Sequence, residues 1–251
     1  MAFWIFLPIT LSAVSLIGCW TVYGLALRFN HICSLRNWEY SNSCLTNKTV
    51  TGGCCTEYNI PTISGSGTQF PENSLFSATI NAASFLFVIF SIFHYAHILK
   101  KCTVHRFFSK SAMVFGCLAG VGAFVAGNCN PGELMFLHYL GSALSFVCIC
   151  FYTVLLTFLT STCILTGLER FLYPVRIVFS IVQVTLTILY CIFFTQKDFY
   201  YRHISAIFEW TLSVNLELFE LSYAVEFYFF SSSMLSVLLS NRDEENTMIL
   251  S

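Results

Sequence analysis

The sequence predicts an all-α membrane protein: a six-transmembrane helix bundle with a disulfide-stapled first extracellular or lumenal loop. Three observations predict it. Of the 251 residues, 56% are hydrophobic and only 10% are charged, against about 25% charged in an ordinary soluble domain. So few polar side chains cannot cover a soluble surface. The apolar residues fall into six stretches, each near the roughly 20 residues that cross a hydrocarbon core. The one long polar connection carries four cysteines and a glycosylation sequon. The 12 Lys and Arg against 13 Asp and Glu leave no basic excess, and no aromatic-interleaved basic patch appears. Nucleic acid is therefore excluded as a partner, and membrane lipids are the expected surroundings.

The spans run over Ala2–Leu27, Leu75–Leu99, Ser111–Asn128, Phe136–Ile164, Val175–Thr195 and Ile204–Phe230. The first lacks the basic n-region of a secretory signal and is longer than one, so it reads as a retained helix. In the third, small residues recur at Ala112, Gly116, Gly120, Ala123 and Gly127. That spacing lets another helix approach closely, by default one of the same chain. Lys100, Lys101, Arg106 and Lys110 lie between spans two and three, and Arg170 and Arg176 flank the link between four and five. The third loop has no Lys or Arg. The positive-inside rule then puts both termini in the cytosol and the first loop outside. Residues 1–230 form the transmembrane domain and 231–251 a cytosolic tail.

The first loop, residues 28–74, is too short to be stabilised by burial alone. It holds Cys33, Cys44, Cys54 and Cys55 on the oxidising side, so disulfides are expected there, with three pairings open. Asn47 in "NKT" is the glycosylation acceptor. Cys102, beside the basic cytosolic loop, is a candidate for S-palmitoylation.

The sixth span, "FEWTLSVNLELFELSYAVEF", carries Glu209, Glu217, Glu220 and Glu226. At about 1.5 Å per residue from Ile204, Glu209 lies near the lumenal edge and Glu226 roughly 33 Å away, near the cytosolic edge. Glu217 and Glu220 lie inside hydrocarbon, where a charge costs on the order of 3 kcal/mol on insertion scales. Helical periodicity puts Glu209, Glu217 and Glu220 on one side, facing the bundle interior, and Glu226 elsewhere. By depth, the expected partners of Glu217 and Glu220 are His94, His97, Lys110 and Arg176, in a buried and satisfied polar pair. Asn81, Asn128 and His138 share the level of Glu209, and the four are expected to form one hydrogen-bonded cluster that fixes helix register.

With these residues in view, the chain resembles the damage-regulated autophagy modulator (DRAM) family, and within it the transmembrane protein 150 branch. The resemblance rests on "FLPITLSAVSLIGCWTVYGLAL", "CSLRNWEYSNSC" with "CC", "IPTISGSG", and Pro71, Glu72 and Asn81. It continues through Gly127 with Asn128, His138 and Gly141 in "LHYLGSALSF", Glu209 with Trp210, and Glu226 with Phe227. The chain departs from the pattern at Cys129 and Asn130, at Phe208, and at Ser66 and Ser74, where the branch carries a further cysteine pair. The resemblance implies a non-enzymatic regulator that modulates autophagy, recruits a phosphatidylinositol 4-kinase complex to the plasma membrane, or both. It implies no catalytic residue, cofactor or metal. Plasma membrane is the expected location, with endosomal or lysosomal membrane as the alternative. An ion channel or transporter using the intramembrane carboxylates is the competing reading. A metal-dependent hydrolase is disfavoured because His94 and His97 lie at the end of the bundle opposite His138, short of the three ligands such a site needs. In the tail, Glu245, Ile249 and Leu250 resemble an acidic dileucine signal read by clathrin adaptors.

Overall fold

The computed structural model describes residues 3–40, 55–102, 104–236 and 238. Its long helices are α1 (Phe6–Arg28), α3 (Glu72–Lys101), α4 (Arg106–Asn128), α5 (Met135–Thr162), α6 (Glu169–Phe194) and α7 (Phe199–Leu221). Two short helices, α2 (Ile63–Ser66) and α8 (Ala224–Tyr228), lie at opposite ends of the bundle. Five of the long helices are apolar and long enough to cross a membrane on composition alone. The remaining one, α7, has 23 residues and completes the bundle between α1 and α6. Its carboxylates, not its length, dilute its apolar character.

The six long helices close into a ring in which each packs on two neighbours, in the order α1, α3, α4, α5, α6, α7 and back to α1. Hydrophobicity is turned outward. Phe85, Phe151, Val178 and Ile181 are exposed on the rim, whereas Arg176, Gln183, Asn215, Glu217, Glu220 and Glu226 are buried. Lipid is as apolar as leucine, so close packing and internal polar bonds must hold such helices together. Small residues permit the packing. A Cβ on Gly122 would stand 2.7 Å from the Gly141 carbonyl oxygen, and one on Gly141 2.7 Å from that of Gly122, so the α4 and α5 backbones touch. The stripe through Gly116, Gly120 and Gly127 meets Ser91, Val88 and Ile80 of α3.

Local signals set the helix ends. The Asp198 side chain accepts from Tyr200 N–H at 2.8 Å and caps α7. Ahead of α6, the Glu169 carboxylate accepts from the N–H groups of Leu165, Thr166 and Gly167, and Gly167 takes φ +87°, the left-handed region that glycine enters without strain. The sequence predicts one unbroken helix over Ile204–Phe230; instead α7 ends at Leu221, turns at Ser222 and Tyr223, and resumes as α8. The interruption lies where the buried Arg176 side chain bonds the Ser222 carbonyl.

Candidate functional site

The bundle interior has three polar levels. At the end of the bundle that carries the first loop, the described part of that loop folds down as a cap. A disulfide joins Cys33 to Cys55, and Thr62 caps α2 by accepting from Gly65 N–H at 2.9 Å. Glu209 Oε2 accepts from Ile63 N–H at 3.2 Å. The carboxylate thus completes the N-terminus of α2, where backbone donors have no helical partner. Beside it, Trp210 Nε1 donates to the Pro61 carbonyl at 2.9 Å and stacks on Trp20 at 4.3 Å. A second anchor lies in the first turn of α7, ahead of the span. His203 Nε2 faces the Leu35 carbonyl at 3.1 Å and Nδ1 faces Tyr40 Oη at 2.7 Å. A carbonyl only accepts, so Nε2 carries the proton and the Tyr40 hydroxyl donates to Nδ1. Burial holds the His203 imidazole below its ordinary range and the Tyr40 phenol above its own.

The residues expected to form one lumenal cluster make separate contacts. Asn81 and Asn128 exchange amide hydrogen bonds at 3.1 and 2.6 Å between α3 and α4, with Asn128 exposed. His138 Nδ1 lies 2.9 Å from each of the carbonyls of Ala126 and Cys129 and so ties α5 to the end of α4. Glu209 bonds the loop. No hydrogen bond links these groups into a single network among the described residues, although His138 and Glu209 line the same cavity.

The middle level is a cavity of about 200 Å³ reached by side chains from all six long helices and by Ile63 and Ser64 of the cap. Glu209, Glu217 and Glu220 all line it. Ser12 Oγ donates to the Glu217 carbonyl at 3.0 Å, and the hydroxyls of Ser15 and Ser12 lie beside the Glu217 carboxyl. The two carboxyls are not a satisfied pair: Glu217 Oε2 and Glu220 Oε2 have no hydrogen-bond partner among the described residues.

Arg176, expected to serve them, is engaged elsewhere. At the end of the bundle opposite the cap its guanidinium grips Glu226 with two bonds, Nη1 to Oε1 at 2.6 Å and Nη2 to Oε2 at 2.8 Å. It also donates from Nη1 to Thr160 Oγ1, from Nη2 to the Ser222 carbonyl, and from Nε to Ser222 Oγ. All five guanidinium N–H groups are therefore used, and the Tyr223 ring lies 3.5 Å from the guanidinium carbon. The turn at Ser222 supplies the carbonyl that Arg176 takes, which is why α7 and α8 are two helices. Glu226 is not a hydrated edge residue; it and Arg176 are both 0% exposed. The depth of Arg176 at the start of span five, matching that of Glu226, is the signal that could have found this pair. A second missed pair is Asn215 with Gln183, Nδ2 to Oε1 at 2.8 Å.

Cys102 is bonded to Cys163, so the thiol expected to carry palmitate is not free. Cys44, Cys54, Asn47, Glu245, Ile249 and Leu250 lie outside the described residues.

A ring of six helices, apolar outward and polar inward, with a stapled cap at one end and a buried ion pair at the other, defines a multi-pass membrane protein. Residues 3–230 match the family model described as Frag1/DRAM/Sfk1/Cwh43P N-terminal domain, and the chain belongs to that family. It is 31% identical over 230 residues to Transmembrane protein 150A of Xenopus laevis, covering 90% of this chain and 84% of that one. It is 31% identical over 244 residues to Transmembrane protein 150A of Mus musculus, covering 94% and 88%. Modulator of macroautophagy TMEM150B-A of Xenopus laevis is 25% identical over 225 residues, covering 90% and 86%. No solved structure matches.

Proposed function

We infer that this chain is a non-enzymatic membrane regulator of the DRAM and transmembrane protein 150 type, acting on autophagy, on plasma-membrane phosphoinositide supply through a phosphatidylinositol 4-kinase complex, or on both. The observation that carries the reading is the extent of the family match, which runs through every helix from residue 3 to residue 230. Relatives with "modulator of macroautophagy" in their names cover most of the chain. The interior chemistry is compatible with regulation. Arg176, Glu226, His138 and Glu209 are committed to holding helices and loop in register, and the basic residues Lys100, Lys101, Arg106 and Lys110 cluster at the end taken as cytosolic. Each basic side chain near an anionic leaflet adds about 1 kcal/mol of attraction, which suits a partner assembled on the inner plasma-membrane surface. Glu245, Ile249 and Leu250 would let clathrin adaptors cycle the protein between plasma membrane and endosomes or lysosomes.

The test is removal of the chain from cells that express it. Autophagic flux under starvation and the recovery of plasma-membrane phosphatidylinositol 4-phosphate after acute depletion are then measured. Loss should change at least one, and re-expression should restore it; if neither moves, the regulatory reading fails. A channel or transporter is the second reading, favoured by the unpartnered oxygens of Glu217 and Glu220. It requires whole-cell current that changes with pH and disappears when both are replaced by Gln.

A further inference from the structure

The central cavity contains polar atoms that the protein leaves unbonded. Glu217 Oε2, Glu220 Oε2 and Ser84 Oγ have no hydrogen-bond partner among the described residues, and the three residues are only 4%, 1% and 6% exposed. All three line the cavity, Ser84 from α3 and the glutamates from α7, so the acceptors reach one space from two helices. A buried polar group without a partner is destabilising, and more so when charged. Native structures carry few such groups, and each calls for an occupant or another explanation.

The chemistry of the occupant follows from the walls. Two carboxyls three positions apart on a helix are neighbours on its surface, and they select a cation or a strong donor over an anion. Three acceptor oxygens match the three N–H donors of an ammonium group. The rest of the wall is largely apolar, with Phe76, Phe87, Ile149, Leu212 and Leu216 among its residues, which suits a hydrocarbon chain. About 200 Å³ is far more than the roughly 10–15 Å³ that one water requires. A lone metal ion would leave the apolar walls unfilled. Tyr139 lines the cavity and is 40% exposed, and its ring meets Phe194 of α6, so the wall between α5 and α6 is one side chain thick on the lipid side.

We propose that this cavity binds a long-chain primary amine, with its ammonium head held by Glu217, Glu220 and Ser84 and its single alkyl chain directed along the cavity toward Tyr139. The site is separate from the regulatory role, and its test does not depend on that role. Purified full-length protein in phosphatidylcholine nanodiscs would be titrated with dodecylamine and with dodecanol, the same chain without the cation. Dodecylamine should raise Tm saturably, by about 5 °C or more at roughly 100-fold excess over Kd, and dodecanol should not. A diazirine-bearing alkylamine should label peptides of α1, α3 or α7 that line the cavity. Excess dodecylamine should compete this labelling away in the unaltered protein, a control that needs no variant to fold. Glu217→Gln with Glu220→Gln should reduce labelling roughly tenfold or more while keeping a cooperative melt. The proposal is overturned if dodecanol stabilises as well as dodecylamine, if neither shifts Tm, if labelling maps only to lipid-facing peptides, or if a folded double Gln variant labels at the native level.

Discussion

Consider what happens when the buried arginine loses its carboxylate. Glu226→Gln keeps nearly the same side-chain volume but replaces one acceptor oxygen with an NH₂ group, so one of the two Arg176 Nη donors, bonded at 2.6 and 2.8 Å in the native protein, faces another donor. The guanidinium is 0% exposed, so no bulk water compensates. Breaking a buried pair by removing one partner costs about 3–5 kcal/mol, and at about 2–4 °C per kcal/mol for a chain of this size the expected fall in Tm is roughly 6–20 °C. Arg176→Met should fall in the same range, because it leaves Glu226 charged and removes the donors that serve Thr160 and the Ser222 carbonyl. Arg176→Met combined with Glu226→Gln removes both charges. What remains is the Thr160 hydroxyl, the Ser222 carbonyl and the new amide without Arg176, a cost of about 1–3 kcal/mol. The double variant should therefore be more stable than either single one. The assay is thermal unfolding of all four proteins in the same phosphatidylcholine nanodiscs, followed by near-ultraviolet circular dichroism. Single variants that melt within about 2 °C of the native protein, or a double variant whose loss equals the sum of the singles, would refute the reasoning, because an independent pair adds and a coupled one does not.

Three further outcomes are expected. Gly122→Leu or Gly141→Leu places side-chain atoms where the opposing backbone lies 2.7 Å from a Cβ and should lower the monodisperse yield in gel filtration sharply, consistent with overpacking of about 1–3 kcal/mol or more, whereas Gly24→Leu, where a Cβ meets nothing within 4 Å, should not. The His203 contacts need a neutral ring whose pKa burial lowers, so they contribute stability above the unfolded value of about 6.5 and lose it as pH falls below that value toward the depressed folded one; the protection factors of the amides over residues 31–40, taken relative to the intrinsic exchange rate at each pH, should fall between pH 7.5 and 5 in the native protein, and His203→Gln should remove the change. Acyl-exchange chemistry should find no thioester on Cys102, and mass spectrometry of alkylated, unreduced membranes should recover Cys102 linked to Cys163; a free or acylated Cys102 would contradict the pairing.

The bundle was legible because its signal is additive: runs of about 20 apolar residues need no knowledge of partners, and even α7 could be recognised despite its three glutamates. Pairing across the bundle is a different quantity. It depends on ring order and on rotational phase, and neither is written in a single helix. Asn81 and Asn128 share a level and stand on neighbouring helices, so they meet. Glu209 and His138 share that level and line one cavity, yet each bonds backbone nearby instead, the Ile63 N–H and the carbonyls of Ala126 and Cys129. The link between Cys102 and Cys163 was not legible either, because the compartment rule reads a thiol beside a cytosolic loop as reduced. The two disulfides join residues at opposite ends of the bundle, which a rule that expects disulfides on one side of a membrane does not foresee.

Depth did hold one unused clue. Glu217 and Glu220 lie nine and six residues before Glu226, roughly 14 and 9 Å along a helix, too far up the bundle for an arginine that enters at Val175. Assigning Arg176 by depth alone gives it to Glu226 and leaves the two deeper carboxyls without a cation. That remainder separates this chain's structural carboxylates from its other ones. Glu226 is matched by two Arg176 donors, and Glu209 completes the end of a loop helix. Glu217 and Glu220 each carry an oxygen that no described residue satisfies, beside an apolar space with a thin wall toward lipid. Glu72 Oε2 lacks a partner too, but its Oε1 meets His31 Nδ1 at 2.8 Å, whereas Glu217, Glu220 and the unbonded Ser84 hydroxyl all line one cavity.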